Sequence, residues 1–300
     1  MLKKVRCLSS TEKNLSEKEK TQIVYELRHE FSITELLVVA RLAKSTYYYH
    51  VKHLDKIGKY LDIRKYIQEI YEQHKGRYGY RRITYALHEY GITLNSKTVL
   101  KLMRELGLKC TLRPKKYRSY YGSVGKVANN ILDRNFKTDK PNQKWVTDVT
   151  MFQVNGKKIF LSPIMDLYNN EIIAYDISQT SNLEMIERMM KQVARRRSYA
   201  TETILHSDQG YHYQSFLYQS ILFQQKITQS MSRKGNCLDN AAIESFFGTV
   251  KSEFYYNQEF TSIKHFANEL HNYISYYNNE RISLRLDGKS PRQYLKFKNK

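Results

Sequence analysis

Three carboxylates lie where an α/β domain could bring them together: Asp148 in a predicted strand, Asp208 at the end of another, and Glu244 in a later predicted helix. Clustered, partly buried acids repel one another at a cost of roughly several kcal/mol, which a bound divalent cation removes. Oxygen ligands without a His or Cys cluster favour Mg²⁺ or Mn²⁺ over zinc. Two such ions about 4 Å apart can activate a hydroxyl nucleophile and stabilise the leaving oxygen of a phosphodiester. These three acids are therefore predicted to be catalytic and to hold two metal ions.

These acids require a sheet to position them. After about Asn135, the segments KWVTDVTMFQV, KKIFLSPIMDLY and EIIAYDIS predict three antiparallel strands, and Asn155-Gly156 predicts a tight turn between the first two. A helix, the strand ETILHSD, a second helix and the strand KITQS follow, which predicts parallel strands joined by right-handed crossovers. The predicted fold class is α/β, with a mixed five-stranded sheet and flanking helices. Sites in such sheets lie at the carboxyl ends of parallel strands, which suits Asp208, while Asp148 is expected to reach the same place from an antiparallel neighbour.

The helix that carries Glu244 is amphipathic. Its inward stripe consists of Ile243, Phe247, Val250 and Phe254. Glu244 projects about a quarter turn away from that stripe, so it is expected at the rim of the core. Asp239 or Asn240 is expected to cap the helix. Lys251 follows about 10 Å further along the same face.

Upstream of the sheet, the sequence predicts short helices. Ser32 and Glu35 have the spacing of a capping box before an apolar run, and another helix is expected after Asn95 or Ser96. Short helices separated by turns between residues 16 and 49 have the rhythm of a helix-turn-helix unit, although any small three-helix bundle produces the same pattern. Residues 62–107 repeat this rhythm more clearly.

Basic residues are concentrated at the end of this helical region. Lys97, Lys101 and Arg104 share one helix face, which is either simply solvated or in contact with a DNA groove or backbone. Residues 113–135 are predicted to be a basic linker. The predicted organisation is an N-terminal helical segment (1–56), a helix-turn-helix domain (57–112), the linker (113–135) and a catalytic core with a C-terminal helical tail (136–300).

The charge balance predicts a polyanionic partner. The 300 residues contain 50 Lys plus Arg against 29 Asp plus Glu, which gives a net charge of +21 and a pI near 9.6. A phosphate backbone rewards such a surface by releasing counterions, although a ribosomal protein has the same excess. Three widely spaced cysteines favour neither a disulfide framework nor a zinc site. Without a signal peptide or a long apolar run, a cytoplasmic, nucleoid-associated protein with no membrane partner is expected. His206 is predicted to be structural.

Three blocks carry a family likeness: WVTDVT, HSDQGYHYQS and SMSRKGNCLDNAAIESFFGTVKSE. They resemble the catalytic blocks of bacterial insertion sequence three family transposases, the OrfB-type subunits with a retroviral-integrase-like core. Thirty-five residues separate Asp208 from Glu244, and Lys251 falls at the additional basic position of that family. GRYGYRRI and LNSKTVLKLMRELGLK resemble the family's helix-turn-helix segment, and AKSTYYYH resembles a signature nearer the N-terminus.

That resemblance implies an RNase H-like core in which Asp148, Asp208 and Glu244 are the DDE metal ligands and Lys251 contacts DNA near the cleaved end. It also implies a DNA transposase that cleaves element ends and transfers the freed 3′-hydroxyl. Many relatives have a His where this chain has Ser283, so a His role there is in doubt. Family members often act as a fusion with an upstream OrfA product, which is therefore an expected partner.

The expected DNA partners are the terminal inverted repeats of the element and the target DNA. Joining two ends requires a multimer on DNA. Two alternatives stay open: a non-catalytic regulator that binds DNA through the same helices, which an intact acidic triad argues against, and an RNase H-type nuclease that hydrolyses without joining ends. Besides Lys251, the residues expected to contact DNA are Arg77, Arg81, Arg82, Lys97, Lys101, Arg104, Arg233 and Lys234.

Overall fold

The computed structural model describes residues 15–111, 128–133, 135–196, 202–233 and 237–298. Within these ranges, no helix is both long and apolar enough to cross a membrane. Contacts divide the chain into two compact units. The first contains the described residues up to Gln73 together with Lys97–Leu108, and the second contains His74–Ser96 and the described residues from Lys109 onward.

The first unit is helical. Its helices are α1 (Glu17–Leu27), α2 (Ile33–Ala40), α3 (Lys44–Lys59), α4 (Leu61–Gln73) and nearly all of α6 (Ser96–Glu105), whereas α5 (Tyr80–Glu89) belongs to the second unit. Val24, Leu37 and Tyr47 are among the buried side chains that form the core of α1, α2 and α3. Isolated helices of this length are marginal in water, so this shared core stabilises them.

The predicted capping box lies at a different helix. Ser32 precedes α2 as expected, but within the described chain its side chain makes no capping hydrogen bond and lies 2.8 Å from the Thr34 hydroxyl. The reciprocal box forms at α1, where Ser16 Oγ accepts from the Glu19 N–H and the Glu19 carboxylate accepts from the Ser16 N–H at 2.9 Å. Both sites have the same sequence spacing, and at Ser32 the neighbouring hydroxyl provides a competing partner.

The second unit is built on one mixed sheet. Its strands are β1 (Lys144–Thr147), β2 (Thr150–Val154), β3 (Lys157–Asp166), β4 (Ile172–Ser178), β5 (Thr203–Ser207) and β6 (Ile227–Met231). Strand β3 pairs antiparallel with β4 on one side and with β2 and β1 on the other, while β1, β5 and β6 run parallel in that order. The predicted mixed α/β sheet is therefore confirmed.

The first predicted strand is interrupted, which gives six strand segments instead of five. β1 and β2 both pair with β3 in one continuous register, and Asp148 and Val149 lie in the gap between them. The Val149 N–H donates to the Asp148 carboxylate at 2.7 Å, a local bond that competes with the sheet ladder. Asn155 and Gly156 both adopt positive φ, as the predicted two-residue hairpin turn requires.

Helices cover both faces of the sheet. They are α7 (Leu183–Arg196), α8 (Phe216–Gln224), α9 (Ala241–Glu253), α10 (Ile263–Asn279) and α11 (Pro291–Lys298). One apolar core joins the sheet to α9 and α10 and includes Val146 of β1, whereas a second core joins it to α7 and α8 and includes Trp145. Successive residues of β1 thus point to opposite faces.

Part of the predicted basic linker packs on this unit. Leu132 is buried in the core shared with α9 and α10, and the N–H groups of Ile131 and Leu132 donate to Ser230 Oγ in β6. The Met231 N–H donates to the Asn129 carbonyl. Basic composition gives no sign of these contacts, because one apolar side chain and the backbone make them. The domain boundaries themselves stay a prediction.

Candidate active site

Strand register brings Asp148 and Asp208 together. β1 is parallel to β5, with Val146 opposite His206, so continuing the register by two residues sets Asp148 beside Asp208. Both carboxylates lie at the carboxyl ends of neighbouring strands and on one face of the sheet. The expectation that Asp148 lies on an antiparallel neighbour was wrong, because β1 is antiparallel to β3 but parallel to β5.

Helix α9 brings Glu244 to the same face. A 3₁₀ turn, Cys237–Asn240, leads into α9, and Asn240 occupies the cap position. Glu244 is half-buried at the edge of the core, as predicted. Because Asp148 has the same orientation on its strand as Val146, it faces the side of the sheet that α9 covers. The predicted inward stripe is buried throughout: Ile243, Phe247, Val250 and Phe254.

Both other acids act electrostatically on Asp148. Burial raises the pKa of Asp148 to about 8, and the charges of Asp208 and Glu244 raise it as well. The Val149 N–H and the Lys251 ammonium lower this pKa without cancelling the shift. Desolvation and like charges therefore disfavour the ionised acids, which is the condition that a bound cation relieves.

Asp208 is held by the loop that follows β5. Burial raises its pKa, whereas the Gly210 N–H, which donates to Oδ1 at 2.8 Å, and His212 lower it. A Cβ at position 210 would lie 2.9 Å from the same Oδ1 and 3.4 Å from the Tyr213 ring. Glycine at this position therefore leaves room for the carboxylate itself.

Tyr213 is close to both aspartates, and sequence reasoning did not select it. Its side chain is buried, and its hydroxyl lies 3.4 Å from Thr147 Oγ1. Burial raises the pKa of this phenol well above its usual value, and Asp148 and Asp208 raise it further. Tyr213 therefore stays neutral beside the two aspartates. It is one of 26 tyrosines, so neither its residue type nor its spacing distinguishes it.

His206 is structural, as predicted. It is fully buried, and its Nδ1 lies 2.9 Å from Ser230 Oγ. Because Ser230 Oγ already accepts from the Ile131 and Leu132 N–H groups, its own proton is available to donate to His206. Burial lowers the pKa of His206 to about 4, so the ring is neutral near pH 7.

The donor chemistry of the site fits a hard divalent cation. The acids that act on Asp148 are an aspartate and a glutamate, so all three side chains offer oxygen donors. Nε2 of the nearby His212 is already in contact with Ser181 Oγ at 3.0 Å. Among the described residues, no set of three or more His, Cys, Asp or Glu side chains already surrounds one point as metal ligands. The acids are thus neighbours with suitable oxygen donors rather than a closed cage.

Comparisons with known proteins identify the domains of this chain and its relatives. Models of an integrase core domain match residues 138–237 and 244–297, and a model of an HTH-like domain matches residues 60–117. InsK, assigned as the transposase of insertion sequence element IS150 in Escherichia coli (strain K12), is 50% identical over 273 residues, which cover 91% of this chain and 96% of InsK. Transposase InsF for insertion sequence IS3A of the same organism is 31% identical over 271 residues, with 88% and 94% covered.

The chain belongs to the insertion sequence three family of transposases. It is therefore an enzyme of the DDE transposase and integrase type. Among solved structures, the HTLV-2 integrase catalytic core domain in complex with magnesium is similar to this transposase with 17% identity and a TM-score of 0.40, covering 51% of this chain and 96% of that one.

Several basic residues predicted to contact DNA are exposed in the transposase. Lys97, Lys101 and Arg104 all lie on the exposed face of α6, opposite its buried apolar stripe. Arg81 of α5 is also exposed. Lys251 is half-buried, with its ammonium 5.7 Å from the centroid of the Phe152 ring.

Arg77 and Arg82 instead point into the second unit. The buried Arg77 donates through Nε to the Glu253 carbonyl at 3.0 Å, and Arg82 Nη1 donates to the Glu253 carboxylate at 3.0 Å. Both guanidinium groups are engaged inside the protein, so we leave them out of the proposed DNA contacts. Arg233 is half exposed and forms ion pairs with Asp133 and Asp239. Lys234, also predicted to contact DNA, lies outside the described residues.

Proposed function

We propose that this transposase cuts one DNA strand at each end of an insertion sequence and then joins the freed 3′-hydroxyl to a second DNA site. In the joining step, the 3′-oxygen forms a bond to phosphorus as the bond to the leaving oxygen breaks. One observation supports the proposal: the β1–β5 register sets Asp148 beside Asp208, and the charges of both Asp208 and Glu244 raise the pKa of Asp148. Acids in this state attract cations, and the nucleophile comes from water or DNA.

Mg²⁺ or Mn²⁺ is the proposed cofactor, with Asp148, Asp208 and Glu244 as ligands and two ions as the expected number. When bound, such ions polarise the phosphate and make a hydroxyl more reactive. The chain itself orients the ligands, since the Val149 N–H holds the Asp148 carboxylate and the Gly210 N–H holds Asp208.

The proposed substrate is DNA, both the terminal inverted repeats and the target. Lys251 is assigned to a phosphate near the cleaved end, and the exposed residues Lys97, Lys101, Arg104 and Arg81 to the backbone of the element end. Because two ends have to be joined, we propose a multimer on DNA, with an upstream OrfA product as fusion or partner. Action on chromosomal DNA would bring the enzyme to the nucleoid.

Strand transfer on duplex oligonucleotides that carry the terminal repeat tests this proposal. The assay compares the wild-type chain with Asp148→Asn and Asp208→Asn at millimolar Mg²⁺, with the OrfA product added if the chain alone is inactive. Asp176→Asn is the matched control, because Asp176 lies on β4 in the same sheet and pairs with Arg188 at 2.8 Å. We expect joining by the wild-type chain and the control only. Joining by folded Asp208→Asn, or joining without a divalent ion, would show that the assignment is wrong.

The products of this assay, together with DNA binding and thermal melts, distinguish the proposed function from the two alternatives. Release of cut ends without any joined product would favour an RNase H-type nuclease. DNA binding without cleavage, together with a melting temperature that does not respond to Mg²⁺, would favour a non-catalytic regulator.

A further inference from the structure

Helix α9 ends in a buried carboxylate outside the proposed triad. Glu253, the last residue of α9, is 2% exposed and lies nine positions after Glu244. Arg281 donates to both of its oxygens at 2.7 Å, Arg82 Nη1 donates to Oε1 at 3.0 Å, and the Tyr273 hydroxyl donates to Oε2 at 3.0 Å. We call Glu253, Arg281, Arg82 and Tyr273 the Glu253 clamp.

One side of the Glu253 clamp comes from a much earlier part of the chain. Arg82 lies in α5, within the residues that match the HTH-like model. From the same segment, Arg77 Nε donates to the Glu253 carbonyl at 3.0 Å, and the Tyr78 hydroxyl accepts from the Ile282 N–H at 2.8 Å. This segment is therefore bonded to the side chain and the backbone of the last residue of α9, and also to the chain that follows α10.

The arginines outnumber the acid, and tyrosine rings accommodate the excess charge. The Arg77 guanidinium lies 4.9 Å from the centroid of the Tyr276 ring, and the Arg281 guanidinium lies 5.4 Å from that of Tyr277. Such contacts stabilise a desolvated cation on a ring face. Two guanidinium groups bond the Glu253 carboxylate and a third, from Arg77, bonds its backbone carbonyl, which restricts the positions that Glu253 can adopt.

The Glu253 clamp is better suited to fixing an orientation than to adding stability. A buried ion pair is often no more stabilising than apolar side chains of the same volume, but it requires a definite geometry. Helix α9 links Glu253 to Glu244 as one continuous helix. With a rise of about 1.5 Å per residue, the nine residues between them span about 14 Å. A shift at Glu253 therefore moves Glu244 and Lys251, which lie on the same helix.

We infer that Glu253 is a positioning residue, which holds the end of α9 on the Arg77–Arg82 segment and so sets the placement of Glu244 and Lys251 in the active site. The inference rests on the proposed function, because it assigns Glu244 to the metal site. A displacement of about 1 Å of a catalytic group can cost on the order of 100-fold in rate. Loosening the clamp should thus raise the Mg²⁺ concentration needed for strand transfer more than the DNA concentration needed.

The test compares Arg82→Met and Glu253→Gln in the full chain with wild type, well below each melting temperature. Three quantities are measured: the Mg²⁺ concentration for half-maximal strand transfer, the DNA concentration for half-maximal transfer, and the Mg²⁺-induced rise in melting temperature without DNA. Arg82→Met removes one bond of the clamp and leaves the Arg281 pair, so it keeps the test open if Glu253→Gln does not fold. Glu259→Gln is the matched control, because Glu259 is exposed and lies six residues further on.

For Arg82→Met, we expect the half-maximal Mg²⁺ concentration to rise by at least about fivefold and the maximal rate to fall by about tenfold. The half-maximal DNA concentration should stay within about twofold, and the Mg²⁺-induced rise in melting temperature should shrink. A purely structural role would lower the folded fraction and leave the Mg²⁺ midpoint unchanged, and that result would overturn the inference. If Asp208→Asn also transfers strands in this assay, the proposed function fails instead.

Discussion

The two ends of helix α9 place the same residue type in opposite electrical surroundings. Near its start, Glu244 adds its charge to the surroundings of Asp148, whose pKa is raised to about 8 by burial and by the other acids. At its end, burial also raises the pKa of Glu253, but Arg281 and then Arg82 outweigh it and leave that pKa below its usual value. The first group of acids is suited to receive a cation, whereas the second already has its cations within the protein.

The largest expected effect separates activity from stability at the first site. Asp208→Asn should reduce strand transfer by on the order of 1,000-fold or more, because a metal ligand supplies several kcal/mol of charge stabilisation. Its melting temperature without metal should stay the same or rise, since the substitution removes a like charge beside Asp148. Single-turnover strand transfer and thermal melts in EDTA measure the two quantities. A clear loss of metal-free stability would contradict the view that Asp208 and Asp148 repel each other without a metal ion.

The second site should show the opposite result. Arg281→Met removes both 2.7 Å bonds to the Glu253 carboxylate, and breaking a buried pair from one side costs about 3–5 kcal/mol. Denaturant unfolding of the metal-free chain measures this loss in the free energy of unfolding. Arg292→Met is a matched control, because Arg292 is more exposed and pairs with Glu171 at 2.9 Å, so it should cost about 1 kcal/mol or less.

The two sites should also respond to pH with opposite signs. Asp148 has a folded-state pKa of about 8 against an ordinary value of 3.8, so the folded state binds more protons and metal-free stability falls as pH rises from about 4 to about 8. Glu253 has a lowered pKa, so its contribution is present above its ordinary value of 4.5 and is lost as pH falls below it.

Melting temperature against pH in EDTA, compared between variants and wild type, tests these signs. Asp148→Asn should flatten the decline between pH 4 and 8, and Glu253→Gln should flatten the decline on the acid side. Groups outside the substituted site, such as His206 with its pKa lowered to about 4, contribute equally to wild type and variant and cancel in the difference. Identical curves for wild type and Asp148→Asn would mean that Asp148 is not in the environment described above.

Sequence reasoning drew attention to the first site but not to the second. Strand ends, helix periodicity and the family resemblance selected the three acids, whose role as metal ligands stays a prediction, and the apolar stripe of α9 is buried as expected. The parallel pairing of β1 with β5 was missed because it joins strands that lie far apart in the chain. Arg77 and Arg82 were assigned to DNA because composition cannot distinguish a buried guanidinium from an exposed one, and Glu253 lies 171 positions from Arg82.

The same long-range contacts account for some of the tyrosines. The 26 tyrosines suggested no role from spacing alone. In the structure, Tyr273 donates to Glu253, while the rings of Tyr276 and Tyr277 face arginines. A phenol suits such a place because its ring faces a cation while its hydroxyl bonds a carboxylate.

The smallest expected effect concerns two adjacent arginines. Arg81 is exposed, whereas Arg82 belongs to the Glu253 clamp. If Arg81 contacts a phosphate, Arg81→Gln should reduce the slope of log K against log salt by about 0.9, the value for one phosphate contact with duplex DNA. Arg82→Gln should leave this slope unchanged, because its guanidinium is already paired. Binding of the terminal-repeat duplex, titrated at several salt concentrations without divalent ions, measures both slopes.

The two salt slopes, for Arg81→Gln and Arg82→Gln, distinguish several outcomes. Arg81 and Arg82 share a helix and a charge, so a general loss of α5 structure would change both slopes alike. A reduced slope for Arg82→Gln alone would mean that the guanidinium leaves Glu253 for a phosphate when DNA binds, and the clamp would then be open in the complex. Suppose instead that the salt slope is unchanged for Arg82→Gln and that Arg82→Met needs more Mg²⁺ for strand transfer. The two neighbours would then act on different steps, with Arg81 holding DNA and Arg82 positioning α9.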